Sequence, residues 1–330
     1  MRQLTMSQAI NEALREEMRR QPNLIHLGQD IGPYGGTFGV TKGLYEEFGQ
    51  ERIRDGPLCE SATMGFSIGA AIHGMRVIVE LEFIDFAGVA MDQIVNQAAK
   101  MHYFFGGQLT VPLVIRAPIV SRMGMGAQHS QSLEAWFMHI PGLKIAIPSN
   151  AYDAKGLMKT ALADSNPVVF IENAKLYPTK ADVPEEQYWV PFGQARIVRP
   201  GKDLTIVAIS GAMPDALAAV DRLSKEGISA ELIDPRTLSP LDDHTIVESV
   251  KKTGRLLITH DAYRTCGVGA EIGQRVSEQA FDYLDAPIMR VTGLDVHVPS
   301  GNLHPAVVPN SQQIIDASLK MCGKQHAMYS

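Results

Sequence analysis

The sequence is poor in cysteine. Three residues, Cys59, Cys266 and Cys322, in a chain of 330 stand in odd number at no metal-ligand spacing. That argues against a disulfide framework or a zinc site and fits a reduced, cytoplasmic interior. Long hydrophobic runs are missing as well: no apolar stretch approaches the roughly 18 residues needed to cross a bilayer. The opening MRQLTMSQAINEALREEMRR lacks an apolar signal core, so neither secretion nor a membrane is implied. Basic charge is scarce, with 30 Lys and Arg against 36 Asp and Glu and no cationic stripe, which argues against nucleic acid as the main partner. Ten histidines include no pair at helical i, i+4 spacing with a nearby carboxylate, so they make no zinc site. Two glycine-rich segments also lack what their look-alikes need. GPYGGTFG has no Gly-Lys-Ser/Thr ending and reads as a mobile surface loop, while GVGAEIG has the wrong glycine spacing and is separated from its strand by HDAYRTC. A small molecule or another protein is the expected partner.

What is present is apolar and periodic. A chain with 45% hydrophobic and 20% charged residues can bury large cores, and its length suggests two domains. Thr5 and Gln8 form a capping-box pattern before a helix with Ala9, Ile10, Ala13, Leu14 and Met18 on one face, stopped at Pro22. Then come the strand LIHLG, a small-residue helix from Ser61, the strand RVIVELE, a helix around MDQIVNQAAK, and the strands VPLVIRA and LKIAIPS. A helix from Tyr152 to Ala163 and the strand VVFIE complete the series. Nearly continuous aliphatic strands separated by helices are what a parallel sheet covered on both faces requires. From about Ala174 to Pro200 the period lapses and prolines accumulate. Beyond it LTIVAIS, ISAELID, RLLITH and PIMRVTG alternate with further helices. The expected organisation is an α/β domain over residues 1–175, a linker over 176–200 and a second, smaller α/β domain over 201–330.

Two residues stand out chemically. Glu60, in DGPLCESATMGFSIGAAIHG, places a carboxylate at the entrance of a nearly all-apolar helix; a cap is the ordinary reading, because exposed amides and the helix dipole favour negative charge there. His129, in GMGAQHSQSLEAW, sits among glycines and amides in a loop between strands, where a surface histidine is the ordinary reading.

Taken together and in order, GPYGGTFGVTKGLYEEFG, DGPLCE, DFAGVAMDQIVNQAAKMHY, GAQHSQSLEAWFMHIPGLKIAIPS, DAKGLMKTAL and DPRTLSPLD resemble the beta subunit of the thiamine-diphosphate-dependent E1 component of 2-oxo acid dehydrogenase complexes. The pyruvate and acetoin members are nearest, with DFAG and PSNAYDAKGL leaning toward acetoin. The resemblance implies two doubly wound α/β domains, a transketolase-like pyrimidine-binding domain followed by a transketolase C-terminal domain. It also implies an alpha2-beta2 heterotetramer with the active site at the alpha-beta boundary, and a lipoyl acyltransferase E2 as recipient of the acyl unit.

By the family's pattern Glu60 is the acid that shares a proton with N1' of the cofactor's aminopyrimidine, which calls for a carboxyl group in a largely apolar pocket. Phe86 matches the aromatic that packs on that ring. His129 matches the AQHSQ histidine near the reacting carbon, which helps move protons or orient the lipoyl acceptor. Leu113, Ala161, Leu162, Asp164 and Asn166 match a potassium site, although DSNP read by itself is an ordinary turn. Glu82 departs from the family's usual Met or Gln near the pyrimidine, so a second carboxylate is expected to face the cofactor and couple to Glu60. Gln29 replaces a usual acid, and the tail VHVPSGNLHPAVVPN matches poorly.

The family's GDG magnesium-diphosphate motif is absent, so Mg2+ and the cofactor's phosphates are expected to be held by the alpha subunit, with activity only in its presence. The rival readings are the C-terminal half of a split transketolase, disfavoured by Ser61 after the key Glu, and a non-catalytic α/β scaffold subunit.

Overall fold

The computed structural model describes residues 1–324. They divide into two compact units, Met1–Val120 with Trp136–Phe192, and Ser121–Ala135 with the chain from Gly193 onward.

The first unit carries β1 (Arg2–Thr5), β2 (Leu24–Gly28), β3 (Ile53–Asp55), β4 (Arg76–Glu80), β5 (Leu113–Ile119), β6 (Lys144–Ala146), β7 (Val168–Asn173) and β8 (Lys180–Val183). Six of them lie side by side in the order β6-β7-β5-β4-β2-β3, every pair parallel. Every residue of β2, β5 and β7 is buried, which is why these segments read as unbroken aliphatic runs. Helix Met6–Arg20 starts at the capping box that Thr5 and Gln8 announce, and packs its Met6, Ile10 and Leu14 face on helix Ala151–Ala163 in one core. Two buried lysines of that second helix are neutralised from the first: Lys155 pairs with Glu12 and Glu16, and Lys159 with Glu16. The helix expected around MDQIVNQAAK is α-helical over Ala87–Asp92 and continues as a π-helix over Gln93–Ala98.

The second unit holds β9 (Arg196–Arg199), β10 (Leu204–Ala208), β11 (Ala230–Asp234), the short β12 (Thr237–Ser239), β13 (Leu256–Tyr263) and β14 (Met289–Gly293). Its sheet runs β14-β13-β10-β11-β9, parallel except for β9. Both faces are covered. Leu204, Ile206 and Ala208 join the core formed with helices Met213–Lys225 and Ser311–Met321, whereas Thr205 turns the other way to meet Ser249 and Thr253 of helix Asp243–Thr253 at 2.7 Å. The GVGAEIG glycines serve packing: a Cβ on Gly267 or Gly269 would come within 2.7 or 2.9 Å of the buried His260 ring.

Two features differ from the linear reading. Residues 176–200, expected as a linker, contain β8, which pairs antiparallel with β1, and β9, which edges the second sheet. Backbone pairing across such sequence separations leaves no local period to detect. Residues 121–135 leave the first unit after β5 and belong to the second.

Candidate active site

The order of the first sheet fixes where a ligand can sit. From β2 the chain moves to β3 on one side and then to β4 on the other, so its direction reverses between β2 and β4. In open α/β sheets the crevice beyond the carboxyl ends of the strands at such a reversal takes the ligand. Gln29 directly follows β2, Glu82 lies just past β4, and Glu60 opens the helix Glu60–Ile72 beyond β3. Gly28 lets the two central strand ends close up, since a Cβ there would lie 2.9 Å from Cβ of Glu80.

The side chains at this edge are joined by hydrogen bonds. Gln29 Nε2 donates to Glu60 Oε1 at 3.4 Å, while Gln29 Oε1 is buried with no hydrogen-bond partner. Glu60 is half-buried and is the first helical residue; Cys59 before it supplies no side-chain cap. Thr37 Oγ1 donates to Glu82 Oε1 at 2.8 Å. GPYGGTFG is only in part the surface loop expected: Pro33 and Tyr34 are exposed, but Gly35 and Gly36 are buried at φ +85° and +83°, and the segment delivers Thr37 to the second carboxylate. Phe86 ends the turn Ile84–Phe86 and meets Phe83 edge-on, with centroids 5.6 Å apart.

Beneath this edge lies a buried ionic network that sequence reasoning missed. Arg116 of β5 forks onto Glu172 of β7 at 2.7 and 2.8 Å and also pairs with Glu80 of β4. Tyr177 Oη donates to Glu172 Oε2 at 2.7 Å, and His26 Nε2 lies 3.3 Å from Glu80 Oε2. Burial pushes the Glu80 carboxyl up, but Arg116 and His26 outweigh it and hold the group below its ordinary range. Burial lowers the pKa of His26, with Glu80 pulling the other way. The signal was present: Arg116 interrupts the aliphatic β5, Glu80 and Glu172 stand at the carboxyl ends of β4 and β7, and a charge in such strands must be paired.

His129 lies in the segment that belongs to the second unit, half-buried, with its backbone N–H donating to Gly126 O at 3.2 Å. Ala161, Leu162, Asp164 and Asn166 come together at the end of helix Ala151–Ala163, and Leu113 is the first residue of β5. Arg76 donates to the carbonyls of Leu162 at 3.1 Å and Asp164 at 2.7 Å; Lys144 pairs with the Asp164 carboxylate. A cavity of about 720 Å³ is lined by Leu27 of β2, Ile53 and Asp55 of β3, Tyr45, and Thr63 and Phe66 of helix Glu60–Ile72. It includes none of Glu60, Glu82 or Phe86.

Two family models cover most of the chain: the transketolase pyrimidine-binding domain over residues 2–180 and the transketolase C-terminal domain over residues 193–314. The beta subunit of acetoin:2,6-dichlorophenolindophenol oxidoreductase from Cupriavidus necator is 48% identical over 98% of this chain and 99% of that protein. The mitochondrial pyruvate dehydrogenase E1 component subunit beta-2 of Oryza sativa is 44% identical over 97% of this chain and 87% of that one. The chain belongs to the E1 beta-subunit family of transketolase-like proteins. Among solved structures, a split-gene transketolase in an inactive beta4 tetramer matches with a TM-score of 0.80 at 22% identity, covering 97% of this chain and 98% of that one. Transketolase from Campylobacter jejuni gives 0.71 at 13% identity, over 97% of this chain and 47% of that one. At those identities the E1 beta-subunit family shares with transketolases its two-domain fold.

Proposed function

We propose that the chain is the beta subunit of a thiamine-diphosphate-dependent E1 component. It works with an alpha subunit in an alpha2-beta2 heterotetramer, decarboxylating a pyruvate-like 2-oxo acid or cleaving acetoin and passing the acyl unit to the lipoyl group of an E2 acyltransferase. The observation that carries this reading is the Gln29–Glu60 pair at the sheet reversal, a carboxylate beside an orphaned buried acceptor. An aminopyrimidine, with N–H donors and ring-nitrogen acceptors side by side, suits that pair.

Thiamine diphosphate supplies a carbon nucleophile and an electron sink for the substrate's carbonyl carbon. Glu60 holds the proton that its carboxyl oxygen shares with the ring nitrogen, and Gln29 fixes the orientation of that carboxyl group. Phe86 presents an aromatic surface for the ring. Glu82, held by Thr37, adds a second carboxylate at the same edge of the sheet. His129 moves protons near the reacting carbon or orients the lipoyl acceptor.

Among the described residues no group of three or more His, Cys, Asp and Glu is arranged to hold a metal ion. Mg2+ and the diphosphate are assigned to the alpha subunit, as the resemblance to the E1 beta family implies. Potassium is assigned to the turn after helix Ala151–Ala163: the carbonyls of Leu162 and Asp164 converge on one cationic group, and each carbonyl oxygen keeps a second lone pair after serving Arg76. No described helix is long and apolar enough to cross a membrane.

The test is reconstitution. Alone, the chain should bind thiamine diphosphate feebly and turn over neither pyruvate nor acetoin, and a cognate alpha chain should restore both properties. Tight magnesium-dependent binding of the cofactor by the isolated chain would show the half-site assignment to be wrong.

A further inference from the structure

The loop that carries His129 is long and has almost no secondary structure of its own. It runs from the end of β5 at Ile119 to the helix Glu134–Met138. Loops of that length are uncommon unless functional, and an unfastened one would populate many conformations. This one is fastened to the second unit at two places.

The first fastening is Arg122. Its Nε donates to both carboxylate oxygens of Asp261, at 2.8 and 2.9 Å, its NH1 to Asp215 Oδ2 at 2.6 Å, and its NH2 to the carbonyl of Pro309 at 3.2 Å. Ser121 Oγ donates to Asp261 Oδ2 at 3.1 Å. Asp261 belongs to β13, Asp215 to the first turn of helix Met213–Lys225, and Pro309 precedes helix Ser311–Met321, so one side chain ties the loop to three elements. The free oxygen of Asp215 accepts from the backbone of Ser311 at 3.1 Å, which fixes that carboxylate in turn. The Arg122 side chain is 12% exposed and that of Asp261 5%, so the pair is largely withdrawn from water and costly to break from one side.

The second fastening is backbone. Gly301 N donates to Gly124 O at 2.9 Å, and Met125 bridges antiparallel to Ser300. Gly124 stands at φ +66°, and a Cβ there would meet Gly301 O at 2.6 Å, so the contact requires glycine. Ser300 and Gly301 lie in VHVPSGNLHPAVVPN, the tail segment that matches the family poorly.

We infer that Arg122 is the positioning residue of the His129 loop. With the Gly124–Gly301 contact it holds the loop in the register from which His129 acts, and the divergent tail supplies the surface that sets this register. The inference rests on the role given to His129 in the proposed function. Arg122 itself touches neither substrate nor cofactor.

The test uses the reconstituted alpha-beta assembly with thiamine diphosphate and magnesium, comparing wild type, Arg122→Gln, Arg122→Lys, His129→Ala and the double variant Arg122→Gln/His129→Ala. Arg122→Gln should lower kcat by about tenfold or more while KM moves less than about threefold. Backbone amides of residues 123–130 should exchange about tenfold faster, with those of β10 and β11 unchanged. Arg122→Lys, reaching one carboxylate at a time, should recover part of both losses. The double variant should be no slower than His129→Ala, because a loop without its histidine has nothing left to position. Unchanged loop exchange in both Arg122 variants, or losses that simply multiply in the double variant, would overturn the inference. If His129→Ala retains full turnover, the catalytic role of His129 falls and the positioning role of Arg122 falls with it. Faster exchange in Arg122→Gln would then report a purely structural fastening.

Discussion

Arg116 and Glu172 meet in a two-bond fork inside the first sheet, Nε to Oε1 at 2.7 Å and NH2 to Oε2 at 2.8 Å, on strands that neighbour each other in the sheet. Glu80 of β4 pairs with the same guanidinium from the other side, so a single cation is shared between two buried carboxylates. Burial works against the Arg116 charge, but Glu172 and Glu80 outweigh it and raise the pKa above its ordinary value. Glu80 is two residues before Glu82, so the network also steadies the strand end from which the second carboxylate projects.

Arg116→Met should therefore be severely destabilising, by about 3–5 kcal/mol, because it leaves Glu80 and Glu172 buried and unpaired. Urea denaturation of the purified chain measures this. A loss below about 1 kcal/mol, the range of an exposed ion pair, would show that the network is solvated in solution.

Glu134 offers a pH test. It is 2% exposed, with Oε2 lacking a partner; burial, aided by the nearby Asp261 charge and opposed by a backbone hydrogen bond, pushes its pKa up from 4.5 to about 7. Below pH 4.5 folded and unfolded chains both hold the proton, so the stability associated with this group is fully present. Between 4.5 and about 7 the unfolded chain releases the proton first, so that stability declines as pH rises and levels off above about 7. Glu134→Gln should flatten this decline and make the protein more stable than wild type at pH 8 by on the order of 2–3 kcal/mol. Parallel stability profiles for the two proteins across that window would refute the assignment.

The α/β alternation was legible because buried parallel strands must be aliphatic along their whole length, as in β5 and β7. The start of helix Met6–Arg20 was legible because Thr5 and Gln8 satisfy each other locally. The pairing of β1 with β8 was not, since nothing near Arg2 in sequence points to Val183. The same holds at the site. Glu60 announces itself at the head of an apolar helix, but its contact with Gln29 exists only because β2 and β3 lie side by side. Arg122 reads as an ordinary loop arginine until the fold brings Asp215 and Asp261 to it. Local periodicity reports which residues are buried, whereas strand order decides which of them meet.

Potassium should raise the melting temperature of the assembly over sodium by about 2–4 °C, the shift that roughly 1 kcal/mol produces in a domain of this size. Asp164→Ala should abolish the difference, because the turn loses the carboxylate that accepts from Asn166 N at 2.9 Å and pairs with Lys144. Equal melting of the wild type in the two salts would remove the potassium assignment, leaving Arg76 as the cation that braces the turn.

Glu60 can be tested against its ordinary alternative, a helix terminus carrying a favourable charge. If that is all it does, Glu60→Gln should cost about 1 kcal/mol of stability and leave catalysis nearly intact, since an amide oxygen still accepts from first-turn amides. If Glu60 is the acid that shares a proton with the cofactor ring, the same change should spare the fold and much of the cofactor affinity while proton exchange at C2 of the bound cofactor collapses. A carboxamide can occupy the place of the carboxyl group and even keep its contact with Gln29, but it cannot hold or release the proton. Losses on removing a positioned acid or base run to roughly two to four orders of magnitude, far more than a helix terminus accounts for. The measurement is C2 proton exchange in the reconstituted assembly, wild type against Glu60→Gln, and the expected loss is about a hundredfold or more. Exchange within about threefold of wild type, well below what general acid–base catalysis contributes, would sink the assignment. The catalytic proton would then pass to Glu82, whose carboxylate Thr37 already holds at the same edge of the sheet.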